Sequence, residues 1–199
     1  MPVAEHGECD ERFDAVRKTL AELLDTVDVG ASAAVFLHGE PVVDIWGGYT
    51  DAARTAPWVR DTITCVYSVS KTMLALCALI LADRGSLDLD APVAKYWPEF
   101  EAAGKEGVLV RHVLAHTAGL PDFDAPVSAT ELYDWPEVTA RLAAQAPSWE
   151  PGTQAGYHSL TQGFILGEVI RRITGRAPGV FFAEEVAATG RRLLFRAAA

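Results

Sequence analysis

Residues 64–82 limit the possible folds more than any other part of the chain. After Lys71 the side chains are apolar nearly all round a helix as far as Asp83, and Gly85 follows as a typical helix-ending residue. A helix of this kind has no polar face to offer to solvent, so we expect it to be buried with other elements packed around it. A hydroxyl and an amine, those of Ser68 and Lys71, stand at its start.

The spacing of Ser68 and Lys71 places both side chains on one face of a helix that begins near Ser68. A neighbouring amine can take the proton of a serine hydroxyl and make it a nucleophile. The positive end of the helix dipole favours negative charge on the attacking oxygen. The same spacing also fits a core helix whose first turn carries ordinary capping or solvated residues, and the local pattern does not separate the two interpretations.

Helical and strand periodicities along the rest of the chain predict an α+β (mixed α/β) fold. Residues 12–27 form an amphipathic first helix, and residues 31–38 and 42–46 form a hairpin that turns at Gly39-Glu40. Further helices are predicted over residues 110–116, 134–146 and 160–173.

Composition excludes several classes of function. The formal charge is −10 and no cluster of Lys and Arg occurs, which argues against binding nucleic acid or an anionic membrane and favours small-molecule partners. Residues 1–11 lack the basic and apolar regions of a signal peptide, and the longest apolar run, residues 73–82, is too short to span a bilayer. We therefore expect a cytoplasmic protein without a membrane span.

Neither the cysteines nor the histidines indicate a metal site. Cys9, Cys65 and Cys77 are odd in number and show no paired spacing, so they predict neither a disulfide framework nor a zinc site. His112 and His116 are four residues apart but lack the Glu of a zinc-binding HExxH helix, and we interpret them as hydrogen-bonding residues at a helix end. We expect no metal and no cofactor.

Tyr157 is a further candidate for a functional residue. The turn formed by residues 150–153 has Pro and Gly in its central positions and leads to a loop that carries Tyr157 just ahead of a helix. A phenol on such a loop can reach into a cleft and act as a general base beside an ammonium group. Taken alone, the local pattern fits an aromatic core or turn residue better.

Five segments of the sequence resemble, in the same order and at plausible spacing, the serine β-lactamase-like superfamily, and most of all class C β-lactamases and family VIII carboxylesterases. The segments are Ser68-Val69-Ser70-Lys71, Gly85-Ser86-Leu87-Asp88-Leu89-Asp90-Ala91-Pro92-Val93, Leu114-Ala115-His116-Thr117-Ala118-Gly119-Leu120, Trp149-Glu150-Pro151-Gly152 and Tyr157-His158-Ser159.

The resemblance implies a β-lactamase/transpeptidase-like fold and a serine hydrolase that acts on carboxylic esters or β-lactams through an acyl-enzyme. By this resemblance Ser68 is the nucleophile, Lys71 the activating amine, Tyr157 the base and later the acid, and Ser159 a polar residue for substrate binding. We favour an esterase, because Ser159 stands where class C β-lactamases usually carry Asn and because no export signal is visible.

The resemblance ends before the family pattern is complete. We assign residues 1–187 to the N-terminal part of a β-lactamase-related domain and residues 188–199 to an unmatched tail, so that we expect a C-terminally truncated chain with an incomplete antiparallel sheet. In this family a third motif, not found after Tyr157, supplies the second oxyanion donor, whose loss costs about 2.7–4 kcal/mol. The exposed sheet edge makes an oligomer possible. The alternative function is a non-catalytic remnant or pseudoenzyme that binds a substrate, or is acylated, without turnover.

Overall fold

The computed structural model of the protein describes residues 5–189. The chain separates into two compact units, with the boundary between Cys65 and Val66. The first contains one helix and a small antiparallel sheet, and the second is built from helices. This mixture confirms the predicted α+β fold class.

The sheet of the first unit has three antiparallel strands in the order β1-β3-β2, namely β1 (Glu5–Cys9), β2 (Gly30–Leu37) and β3 (Glu40–Gly48). The predicted hairpin is confirmed, but its turn falls one residue earlier, at His38 and Gly39, where both residues have positive φ. Helix α1 (Asp14–Thr26) packs on this sheet. The core that they share consists of Leu20, Leu24, Val43 and Ile45.

Strand β1 corrects the sequence prediction, which gave this sheet only the two strands of the hairpin. The strand pairs with β3 through main-chain hydrogen bonds, which do not depend on its polar side chains. Gly7 fits because a Cβ atom there would lie 2.1 Å from the main-chain oxygen of Asp44. A strand rich in Glu and Gly gives no periodic signal, so only the neighbouring strand reveals it.

The described part of the second unit contains five α-helices: α2 (Ser70–Asp83), α3 (Val110–Leu114), α4 (Trp135–Ala144), α5 (Thr161–Thr174) and α6 (Pro178–Glu185). The first four confirm predicted helices, and α6 was missed. Helix α5 is the most central, since α2, α3, α4 and α6 all contact it. Its buried side chains join those of α2 and α6 in one core.

Helix α2 is less buried than its sequence predicts. One face, with Leu74, Cys77 and Leu81, lies in the core, whereas Leu76 and Leu79 are 38% and 50% exposed. The prediction that the whole helix is buried is therefore wrong. Because α2 is apolar all round, any of its faces could be buried. The packing of α5 and α6 against it decides which face is buried.

Two buried charges connect the helices of the second unit. The Lys105 ammonium is fully buried and donates to three main-chain carbonyls, at 2.7 Å to Ala102, at 2.9 Å to Ala143 and also to Gln145. The carboxylate of Glu168 on α5 is likewise buried and accepts hydrogen bonds from three side chains, those of Trp135, Arg171 and Arg172. Both charges are thus fully hydrogen-bonded, as burial requires.

Within residues 5–189 no helix combines the length and the apolar character that crossing a membrane requires. The same residues bring together no group of three or more His, Cys, Asp or Glu side chains that could hold a metal ion. Cys9, Cys65 and Cys77 are free thiols, and of these Cys77 is buried.

Candidate active site

Ser68 and Lys71 meet at the start of α2. Ser68 lies in a short 3-10 turn, Tyr67–Val69, which leads directly into the helix at Ser70. Lys71 belongs to the first helical turn, and its Nζ atom lies 3.5 Å from Ser68 Oγ. The two polar groups therefore share one space, although Ser68 precedes the α-helix and does not open it.

The backbone just before Ser68 is strained. Tyr67 has φ of 44°, in the left-handed region that costs a residue with a side chain about 1–2 kcal/mol. Its side chain is 82% exposed, so burial of the ring does not offset this cost. Such strain is concentrated at functional sites. Ser68, the next residue, is exposed at the surface.

Tyr157 lies against the same two groups. The Lys71 Nζ atom is 5.0 Å from the centroid of the Tyr157 ring. Hydrogen bonding to Ser68 lowers the pKa of the Tyr157 phenol, partial burial opposes this effect, and the Lys71 ammonium lowers the pKa further. Ser68, Lys71 and Tyr157 thus form one cluster of a hydroxyl, an amine and a phenol, which is a set of groups suited to proton transfer.

Ser159 contacts this cluster through its main chain. Its carbonyl oxygen accepts a hydrogen bond of 2.7 Å from Lys71 Nζ. This bond holds the amine at the start of α2 against the loop that precedes α5 and keeps it within reach of Ser68. The role of the Ser159 side chain in substrate binding stays a prediction.

His116 holds the loop that carries Tyr157. Its carbonyl oxygen accepts from the Gly156 N–H at 3.0 Å, and its Nδ1 atom accepts from the His158 N–H at 3.0 Å. The centroids of the His116 and Tyr157 rings are 4.7 Å apart. Sequence reasoning described His116 only as a helix-end hydrogen bonder, and the family-like segment 114–120 was the signal that marked it.

His158 fixes the other side of this loop. The ring is fully buried, and its Nε2 atom accepts from the Leu120 N–H at 3.1 Å. Its Nδ1 atom lies 2.5 Å from the Gly156 carbonyl oxygen, so the proton of the neutral ring is on Nδ1. Burial lowers the pKa of His158, which favours this neutral form. The loop therefore has little freedom to move Tyr157.

Comparison with protein families shows to which family the chain belongs. The family model described as Beta-lactamase matches residues 16–193, which is most of the sequence. The chain belongs to the beta-lactamase family. This result confirms the resemblance on which the sequence interpretation relied.

Two solved structures have the same fold. A family VIII carboxylesterase has a TM-score of 0.86 and 46% identity, covering 93% of this chain and 51% of its own. A penicillin-binding protein homologue from Caulobacter crescentus has a TM-score of 0.88 and 38% identity, covering 94% of this chain and 50% of its own. The predicted β-lactamase/transpeptidase-like fold is thus confirmed.

Among curated relatives, the esterase/beta-lactamase LipL of Mycobacterium tuberculosis is 40% identical over 182 residues, which are 91% of this chain and 42% of LipL. The chain therefore spans about half the length of the relatives that it matches. These relatives carry the names esterase/beta-lactamase, carboxylesterase and penicillin-binding protein homologue, which supports the general serine hydrolase family that the sequence predicts.

Proposed function

We propose that the protein is a serine hydrolase that cleaves carboxylic esters through an acyl-enzyme on Ser68. The observation that carries the proposal is the cluster in which Lys71 Nζ lies 3.5 Å from Ser68 Oγ and 5.0 Å from the centroid of the Tyr157 ring. A phenol whose pKa is lowered ionises more readily, and the phenolate beside an amine can take the serine proton. The similarity to esterases supports the same reading.

The reaction has two steps. Ser68 Oγ attacks the ester carbonyl carbon while its proton passes to the Tyr157 and Lys71 pair, and a tetrahedral intermediate forms. The intermediate collapses when the carbon–oxygen bond to the alcohol breaks, and the alcohol leaves with the proton that Tyr157 returns. Water then attacks the acyl-enzyme with the same pair as base, which releases the carboxylic acid and restores the Ser68 hydroxyl.

The openness of the site favours a second candidate, acylation without turnover. Ser68 is exposed and the Tyr157 side chain is 55% exposed, so water has access to both. Electrostatic stabilisation of an oxyanion is weaker in such a site than in one from which water is excluded. A slow second step would leave the acyl group on Ser68.

β-Lactams are the second substrate class, because the same attack opens a lactam amide.

The test is hydrolysis of p-nitrophenyl butyrate by the purified protein and by the Ser68→Ala variant. Ser70→Ala is the matched control, since it removes a hydroxyl two residues away, at the first residue of α2. We expect nitrophenolate release by the protein and by the Ser70→Ala variant, and none above background from Ser68→Ala. Intact mass is recorded after exposure to excess ester, and a chromogenic cephalosporin replaces the ester in a parallel assay.

Three outcomes separate the candidates. Turnover that disappears in Ser68→Ala supports the hydrolase. A single acyl adduct on Ser68 without turnover supports the second candidate. Full activity in Ser68→Ala contradicts the assignment of the nucleophile and of both candidates.

Other expectations from the sequence remain proposals. We keep residues 1–187 as the proposed related domain and residues 188–199 as the proposed tail, although the family match extends six residues into this tail, to residue 193. Residues 190–199 lie outside the described part. Three further proposals rest on the sequence alone: location in the cytoplasm, a small-molecule ester as partner, and self-association at a sheet edge. Strands β1 and β2 form the edges of the described sheet.

A further inference from the structure

We propose that the neutral ring of His116 is a positioning residue that holds Tyr157 beside Lys71, and that protonation of this ring releases Tyr157. The inference rests on the proposed function, because it is there that Tyr157 acts on Ser68. His116 itself touches none of the reacting atoms in that scheme.

His116 contacts three consecutive residues of the loop. Gly156 donates its N–H to the His116 carbonyl oxygen, and His158 donates its N–H to His116 Nδ1, both at 3.0 Å. Between them, the Tyr157 ring packs against the His116 ring at a centroid distance of 4.7 Å. A residue that contacts the tyrosine and both of its neighbours determines where the phenol points.

The hydrogen bond from His158 requires an unprotonated Nδ1 atom on His116. In the neutral ring the proton is therefore on Nε2. A proton added to Nδ1 would face the N–H of His158, so that two donors would oppose each other and the bond would be lost. The contact thus exists only in the neutral state of His116.

The surroundings of His116 favour this neutral state. Burial lowers the pKa of His116, and the positive charge of Lys71 on α2 lowers it further. The other titratable groups that face the ring, Tyr157 and His158, lie on the loop. On α5 the amide nitrogen of Gln162, which donates to the carbonyl oxygens of Val113 and Leu114, is 3.4 Å from the His116 Nε2 atom. Lys71 is the charged group in this set, so it both opposes protonation of His116 and lies beside the phenol that His116 positions.

The backbone of His116 suggests the conservative variant. Its φ of 60° is in the left-handed region, which Asn adopts more readily than other residues with side chains. The Oδ1 atom of Asn can replace Nδ1 as acceptor for His158, but it takes up no proton in the accessible pH range. His116→Asn should therefore keep Tyr157 in place, and His116→Ala should not.

The first experiment measures the ionisation of Tyr157 without any need for catalysis. The ultraviolet titration of each variant is recorded with and without the additional change Tyr157→Phe, and the difference isolates this phenol. We expect the pKa of Tyr157 to rise towards its ordinary range in His116→Ala and to stay near that of the unmodified protein in His116→Asn. His112→Asn is the control for loss of a histidine from α3, and it should leave the Tyr157 titration unchanged.

The second experiment follows the acylation of Ser68 by p-nitrophenyl butyrate across the acid range, beside the NMR titration of the His116 ring. In the unmodified protein acylation should fall as the His116 ring is protonated, and His116→Asn should lack this step. In His116→Ala, acylation near neutral pH should be slower by about tenfold or more, towards the 10²–10⁴ that a general base supplies.

An unchanged Tyr157 titration in His116→Ala would overturn the inference. If that variant does not fold, an acid step that persists in His116→Asn would overturn it equally. If Ser68 of the unmodified protein is never acylated, the proposed function fails, and the Tyr157 titration still decides the role of His116.

Discussion

Replacing Glu168 by Gln should destabilise the helical unit by about 3 kcal/mol at neutral pH. The Glu168 side chain is only 3% exposed. Its two oxygen atoms accept from Trp135 Nε1 at 2.7 Å, from Arg171 at 2.7 and 2.8 Å and from Arg172 at 2.7 Å. Gln keeps the shape of the side chain, but it removes the charge and places an amide donor against the guanidinium groups.

The magnitude follows from the protonation equilibrium of Glu168. Burial alone raises its pKa, but the hydrogen bonds from Arg171, Trp135 and Arg172 outweigh burial and lower it from 4.5 to about 2. Each pKa unit corresponds to about 1.4 kcal/mol, which gives about 3 kcal/mol for the charged form. Because the pKa is lower in the folded protein, this contribution is complete above pH 4.5 and is lost as the pH falls towards 2.

Urea unfolding of the protein and of Glu168→Gln, at neutral pH and near pH 3, measures this difference. Glu99→Gln is the control, since Glu99 also pairs with Arg172 but has a side chain that is 64% exposed, and it should cost much less than Glu168→Gln. The penalty of Glu168→Gln should shrink at the lower pH. A penalty below about 0.5 kcal/mol at neutral pH, or one that does not depend on pH, would refute the reasoning.

Two further predictions concern packing and buried charge. Lys105→Met should lower the free energy of unfolding by about 2 kcal/mol or more, because three carbonyls lose their donor. Lys18→Met, at a side chain that is 73% exposed, should change it much less, and urea unfolding compares the two variants. Gly156→Ala should destabilise the protein by about 1–3 kcal/mol, since its Cβ atom would lie 2.5 Å from the Trp149 ring. The Cβ atom of Gly163→Ala meets no atom within 4 Å, so this variant should instead stabilise α5 by up to about 1 kcal/mol. The melting temperatures of the two variants should therefore move in opposite directions.

Elements with a clear hydrophobic period were predictable from the sequence, and those held by tertiary contacts were not. Helices α1, α4 and α5 and the β2–β3 hairpin lie within a few residues of their predicted bounds. Helix α6 was missed because Pro178 and Gly179 stand at its start and its eight residues are too few to show a clear helical period. Burial of Phe181 and Phe182 in the core of the second unit stabilises α6, and residues far away in the sequence form that core.

The candidate site divides in the same way. Ser68 and Lys71 are three residues apart, so helical geometry alone brings them together. Tyr157 is far from them in sequence, and its importance came from the family resemblance and not from its local pattern. His116 contacts residues 156–158 across about forty positions of the chain, and periodicity cannot detect a contact of that range.

The way in which Lys71 is held bears on the choice between ester and lactam. The expectation of an esterase rests in part on the side chain at position 159, where this chain has Ser and class C β-lactamases usually have Asn. In the structure, however, residue 159 reaches Lys71 through its carbonyl oxygen, which every residue type offers equally. The amine therefore keeps its place whichever side chain is present. Under the proposed function we therefore expect any effect of Ser159 on the choice between ester and lactam to come from contact of its side chain with the substrate and not from the placement of Lys71.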